Sequence, residues 1–150
     1  MAFLEMKDKV PPHNLEAEQA LIGAVLLDNE VIHKVIAQLK PEDFYKQAHQ
    51  KIFQVIVTLA NKSEACDLIT LTDALRASKE LDIVGGAAYV SQLTSNVPSS
   101  SNFEHYSRII KECSTRRQLI RIGADMTAQS FEESAESRLI IEDAEKKLFE

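Results

Sequence analysis

Apolar positions along this chain recur mostly at helical spacing. Leu21, Ile22, Val25 and Leu26 form a stripe behind Asn14, a good N-cap, with Glu16 and Glu18 in the first turn where the helix dipole favours acids; a helix over 15–27 follows. Asp28 caps a second helix carrying Val31, Ile32, Val35, Ile36 and Leu39. Pro41 stops it and opens a tight turn whose Phe44 should plug the core. His49, Ile52, Phe53, Ile56, Leu59 and Ala60 define the apolar face of a third helix, which Asn61-Lys62-Ser63 ends. Asp67-Leu68-Ile69 is expected to run extended into Thr70. Thr70-x-x-Asp73 resembles a capping box, so the fourth helix is expected from Leu71 to near Ser78. Leu81-Asp82-Ile83-Val84 reads as a loop, since a lone strand has nothing to pair with; Gly85-Gly86 breaks the chain and a fifth helix spans 87–93.

Beyond Ser95-Asn96-Val97-Pro98-Ser99-Ser100-Ser101, a stretch with the composition of a connector, the pattern changes. Phe103, Tyr106, Ile110, Cys113, Arg117, Ile120, Ala124, Thr127 and Phe131 follow alternating steps of three and four, a heptad-like seam. Ile109, Leu119, Ile122 and Met126 form a second apolar line beside it. A polar turn at 132–136 leads to a last helix marked by Leu139, Ile141, Ala144 and Leu148. The expected fold is all-α: a flexible arm over 1–12, a compact multi-helix head over 13–98, and a two-helix antiparallel hairpin over 99–150. A lone hairpin cannot bury both apolar lines, so a symmetric dimer built on it is expected, with Phe103, Tyr106, Ile110, Ile120 and Phe131 as interface candidates. The alternative is that the hairpin folds back onto the helices before residue 95.

Composition narrows the chemistry. At 150 residues, 45% hydrophobic and 27% charged, the chain suffices for one core. No apolar run reaches the roughly 18–20 residues of a membrane span, and the N-terminus lacks a signal-peptide core, so a soluble cytoplasmic protein is expected. Cys66 and Cys113 make no disulfide framework or zinc knuckle, and His13, His33, His49 and His105 have no metal-binding spacing. His49, on an apolar helix face, reads as a satisfied core histidine. The net charge of −6 argues against tight phosphate binding by the chain as a whole. Locally, Arg108, Lys111, Arg116, Arg117 and Arg121 face a single acid, Glu112. These residues are either a solvated face or a surface for an acidic partner or nucleic acid. Glycines fall at 23, 85, 86 and 123, with no lysine placed for a phosphate loop, and neither Ser99-Ser100-Ser101 nor the closely spaced carboxylates suggest catalysis. No catalytic, cofactor-binding or metal residues are expected in this chain.

Pro11-Pro12-His13-Asn14-Leu15-Glu16-Ala17-Glu18-Gln19-Ala20-Leu21-Ile22-Gly23 resembles the opening of DnaB-type bacterial replicative DNA helicases. The resemblance continues through Phe44-Tyr45 with His49, Ile52 and Phe53, then Asp67-Leu68-Ile69-Thr70-Leu71. Gly85-Gly86-x-x-Tyr89, Tyr106-x-x-Ile109-Ile110-Lys111 and Ala144-Glu145-x-x-Leu148-Phe149 complete it in family order. It implies a non-catalytic N-terminal collar domain whose hairpins pair between subunits of a hexamer. It implies that the collar holds the ring around single-stranded DNA and docks primase, with ATP and magnesium used by a RecA-like motor domain absent from this chain. The competing readings are a freestanding helical adaptor or helicase loader, and a helix-turn-helix formed by 71–78 and 87–93. The latter is weakest, because 87–93 carries no arginine or lysine to read DNA.

Overall fold

The computed structural model describes residues 9–95, 97 and 100–150. Among these there are seven α-helices and no strand: α1 (Leu15–Leu27), α2 (Ile32–Gln38), α3 (Gln47–Asn61), α4 (Leu68–Ala77), α5 (Gly86–Ser95), α6 (Phe103–Ser130) and α7 (Ser137–Phe149). Two compact units are distinguished. One is His13–Ser114; the other joins residues 9–12 to Thr115–Glu150. Helix α6 contributes to both.

In the first unit α1 is the spine. The Asn14 side chain accepts from the Ala17 amide at 3.0 Å, as the sequence predicts, and Leu21, Ile22, Ala24 and Val25 are all buried. With Gly23 and Leu26 they make six consecutive buried positions, enough to face every side of a helix, so the second half of α1 is enclosed by neighbours rather than laid on a surface. Gly23 is what lets α5 approach: a β-carbon there would run into the Leu93 carbonyl and the Val97 side chain. Asp28 ends α1, and its carboxylate accepts from the Glu30 amide to start a 3-10 turn, Asn29–Val31, that leads into α2.

Pro41 opens a second 3-10 turn, and Asp43 closes it by accepting from the Lys40 amide at 2.8 Å. The turn drives Phe44 fully into the core, its ring centroid 4.8 Å from that of Phe53 on α3. The apolar face of α3 is buried as its spacing predicts. After α3, Asn29 clamps the chain by donating to the Cys66 carbonyl at 2.8 Å and accepting from the Cys66 amide at 2.7 Å.

Helix α4 begins three residues earlier than the sequence reading. Asp67 is its N-cap, accepting from the Thr70 amide at 2.9 Å while the Thr70 hydroxyl accepts from the Asp67 amide at 2.8 Å. Thr70 is therefore the inner partner of the capping box and not the cap, so Leu68 and Ile69 are helical instead of extended. Residues 81–85 form turns, and Gly85 and Gly86 take φ of +114° and +83°, which only glycine adopts cheaply. Of the connector, residues 96, 98 and 99 lie outside the described residues, as does most of the arm.

The compact head extends beyond residue 98 to Ser114, because the first turns of α6 bury Phe103, Ser107 and Ile110. Asp43 ties this stretch down, accepting from the Ser114 hydroxyl at 2.7 Å and pairing with Lys111 at 3.4 Å.

Cys66 is completely buried, and that burial, with the neighbouring Asp67 charge, raises its thiol pKa from 9.0 to about 12. The raised value stabilises the fold below pH 9. Above it the unfolded chain ionises while the native thiol does not, so stability falls by about 1.4 kcal/mol per pH unit. A Cys66→Ala variant should lack this alkaline slope in denaturant titrations between pH 8 and 10.5. A thiol reagent at pH 8 should modify Cys113 in the native chain, and Cys66 only on unfolding.

Candidate functional site

The second unit is a hairpin. Lys147 on α7 bridges Asp125 on α6 at 3.2 Å and Asp143 at 2.8 Å, and Gln129 donates to Asp143 at 3.0 Å. These rungs, four residues apart on each helix, run in opposite directions and show α6 and α7 to be antiparallel. Lys147 and Gln129 hold the Asp143 carboxyl below its usual range. At the base, Arg117 donates to the Pro12 carbonyl at 2.8 Å. Within this unit only Ile122 and Ala144 are fully buried apolar residues among those described. Leu119, Ile120, Met126, Phe131, Leu139, Ile141 and Leu148 are exposed, a concentration of large apolar side chains that a monomer surface rarely carries.

The five interface candidates divide sharply. Phe103 and Ile110 are 8% and 2% exposed and belong to the core of the head, and Tyr106 is packed against that core. Ile120 and Phe131 are 48% and 79% exposed on the hairpin. The heptad-like seam is thus two surfaces end to end. Its first half packs on the chain's own head, as the fold-back alternative expects of these residues, and its second half has no cover within the hairpin. Of the basic candidates, Lys111 pairs with Asp43 and Arg117 with the Pro12 carbonyl, while Arg108 and Arg121 are exposed and Arg116 also has an interaction.

The head contains a polar cluster that the sequence reading did not assemble. Glu18, 1% exposed on α1, accepts from the Tyr45 amide at 2.7 Å and from the Lys46 amide at 3.4 Å. It also lies 2.7 Å from His49 Nδ1, and His49 Nε2 lies 2.6 Å from the Tyr89 hydroxyl on α5. His49 is a satisfied core histidine, as expected. Glu18, read from sequence only as a first-turn acid, is its partner, and no spacing in the sequence signals the pairing of two residues 31 apart on different helices. Tyr89 also lines a groove of about 410 Å³ with Gln19, Gln92, His105 and Tyr106. Among the described residues no group of three His, Cys, Asp or Glu could hold a metal, and no helix is long and apolar enough to cross a membrane.

The head and the hairpin are each all-helical among the described residues, the class of fold to which the following relatives belong. The family profile "DnaB-like helicase N terminal domain" matches residues 10–112, and the chain belongs to that family. It is 41% identical to the replicative DNA helicase DnaB of Treponema pallidum over 97% of its own length, and 39% identical to that of Geobacillus stearothermophilus over 95%. It spans about a third of each of these relatives, 33% and 32%. Among solved structures it resembles the N-terminal domain of DnaB helicase from Mycobacterium tuberculosis (TM-score 0.85, 30% identity, 93% of this chain and 99% of that one). It also resembles a DnaB-like replicative helicase described with its interactions with primase (TM-score 0.73, 26% identity, 91% and 31% covered).

Removing the Glu18 carboxylate strips His49 and the Tyr45 amide of their acceptor inside the core. Glu18→Ala should therefore cost about 1–3 kcal/mol for each buried donor it strands in urea unfolding, whereas Glu16→Ala, at an exposed position two residues earlier on another face, should cost under about 0.5 kcal/mol.

Proposed function

We propose that this chain is the collar domain of a hexameric replicative helicase, pairing with a second copy through its hairpin and offering the assembled collar to primase. The observation that carries this reading is the exposed apolar surface of α6 and α7. Burying side chains such as Ile120, Phe131 and Leu139 against a symmetry-related copy removes them from water at roughly 25 cal/mol per Å². Family membership and the relative described with its interactions with primase support the same assignment. Three such dimers would close a ring around single-stranded DNA. ATP, magnesium and strand translocation belong to a motor domain of the kind the longer relatives have room for, acting in the cytoplasm. Arg108, Arg116 and Arg121 would border the partner or the DNA strand.

Ile110 is a core residue of the head, so its replacement tests folding and not pairing. Ile120→Asp with Leu139→Asp, both at exposed positions, is the informative variant. Sedimentation equilibrium should show a dimer for the parent chain and a folded monomer for the variant, with a Kd raised at least about 100-fold. A parent chain that is monomeric at 100 µM, or a variant that still dimerises, rejects the hairpin interface. Binding of primase to the parent and not to the monomeric variant would place the docking surface on the assembled collar; equal binding would place it within one chain.

A further inference from the structure

The direction of each hydrogen bond around His49 follows from its partners. Glu18 supplies only acceptor oxygens when ionised, and its two other contacts come from the Tyr45 and Lys46 amides. At 2.7 Å from Glu18, His49 Nδ1 must therefore carry a proton. On the other side, the Tyr89 oxygen has one proton to give and two lone pairs to fill. The Lys46 ammonium at 3.2 Å and the Gln19 amide nitrogen at 3.4 Å, both donors, fill the lone pairs. The Tyr89 proton is left to go to His49 Nε2, 2.6 Å away, which must be an unprotonated acceptor. Lys46 is further held by the Tyr89 ring, 4.4 Å from its centroid.

We infer that His49 is buried as the neutral imidazole with its proton on Nδ1, and that a second proton on the ring unlatches α5 from α1 and α3. Protonating Nε2 turns it into a donor. The Tyr89 oxygen then meets three donors with two lone pairs, and its own proton must turn from His49 toward the groove or the Gln19 amide oxygen. That rearrangement breaks or weakens the polar link that holds α5 to α1 through Gln19 and to α3 through His49 and Lys46. The charged and titratable groups facing the ring from its neighbours are Glu18 on α1, Lys46 ahead of α3 and Tyr89 on α5. Glu16 and His105 line the groove beside Tyr89, and His13 stacks on Tyr45. The chain thus carries an acid-operated latch on α5, the helix that leads into the connector before α6.

Nitrogen-15 imidazole spectra and amide-exchange protection factors of the 150-residue chain, followed from pH 8 to pH 5, test this. The expected result is a neutral Nδ1–H tautomer for His49 at pH 8. Protection of α5 should then fall by about tenfold or more relative to α3, in step with the His49 titration. Tyr89→Phe removes the surplus donor conflict while leaving His13, His105 and Glu16 in place. Its α5 should be less protected at pH 8 and change less than about twofold on acidification. An Nε2–H tautomer or an imidazolium at pH 8 overturns the inference. So does a His49 that stays neutral until the whole chain unfolds, or a Tyr89→Phe chain whose α5 loses protection with the parent's pH profile.

Discussion

A single buried carboxylate organises the head. Glu18 takes two backbone amides and one imidazole nitrogen, so it fastens α1, the entry to α3 and, through His49, Tyr89 of α5 at once. A charge removed from water is tolerable only when its lone pairs are filled with good geometry, and here three donors fill them. The requirement is positional. Tyr45 and Lys46 must present their amides at the end of the Pro41 turn, which Phe44 anchors and Asp43 shapes. Asp43 in turn binds Ser114 and Lys111, so the first turns of α6 share the same chain of constraints.

The division of labour between the units follows from what covers their apolar residues. The head encloses the second half of α1 and leaves its large apolar side chains mostly buried. The hairpin has two helices only, and two helices can shield one line of contacts, here Ile122 and Ala144, with charged rungs beside it. The remaining apolar side chains stay at the surface for geometric reasons: each helix has one face toward its partner and the rest of its circumference toward water. That surplus is the physical basis for the pairing proposed above, and the chain itself corresponds to about a third of the longer relatives' length.

Much of the architecture was legible from local rules. Asn14 as N-cap, the period of α3, Phe44 as a plug, Gly85-Gly86 as a break and the long α6 all obey near-neighbour physics, in which caps, periodicity and glycine conformations act within a few residues. The error at α4 was also local. Asp67 and Thr70 both qualify as caps, and only the geometry shows which one stands outside the helix.

By itself the sequence determined the helical class, the order of elements, the absence of recognisable catalytic motifs and the family resemblance, because each rests on residue type and spacing along the chain. Only the tertiary structure decided that Glu18, His49 and Tyr89 meet, since they come from three helices and their spacing carries no period. It also decided that the apolar seam of α6 is divided, with Phe103 and Ile110 buried in the head and Ile120 and Phe131 exposed. A heptad pattern records that a face is apolar. What covers that face depends on which other helices reach it, and that is a property of the packed chain.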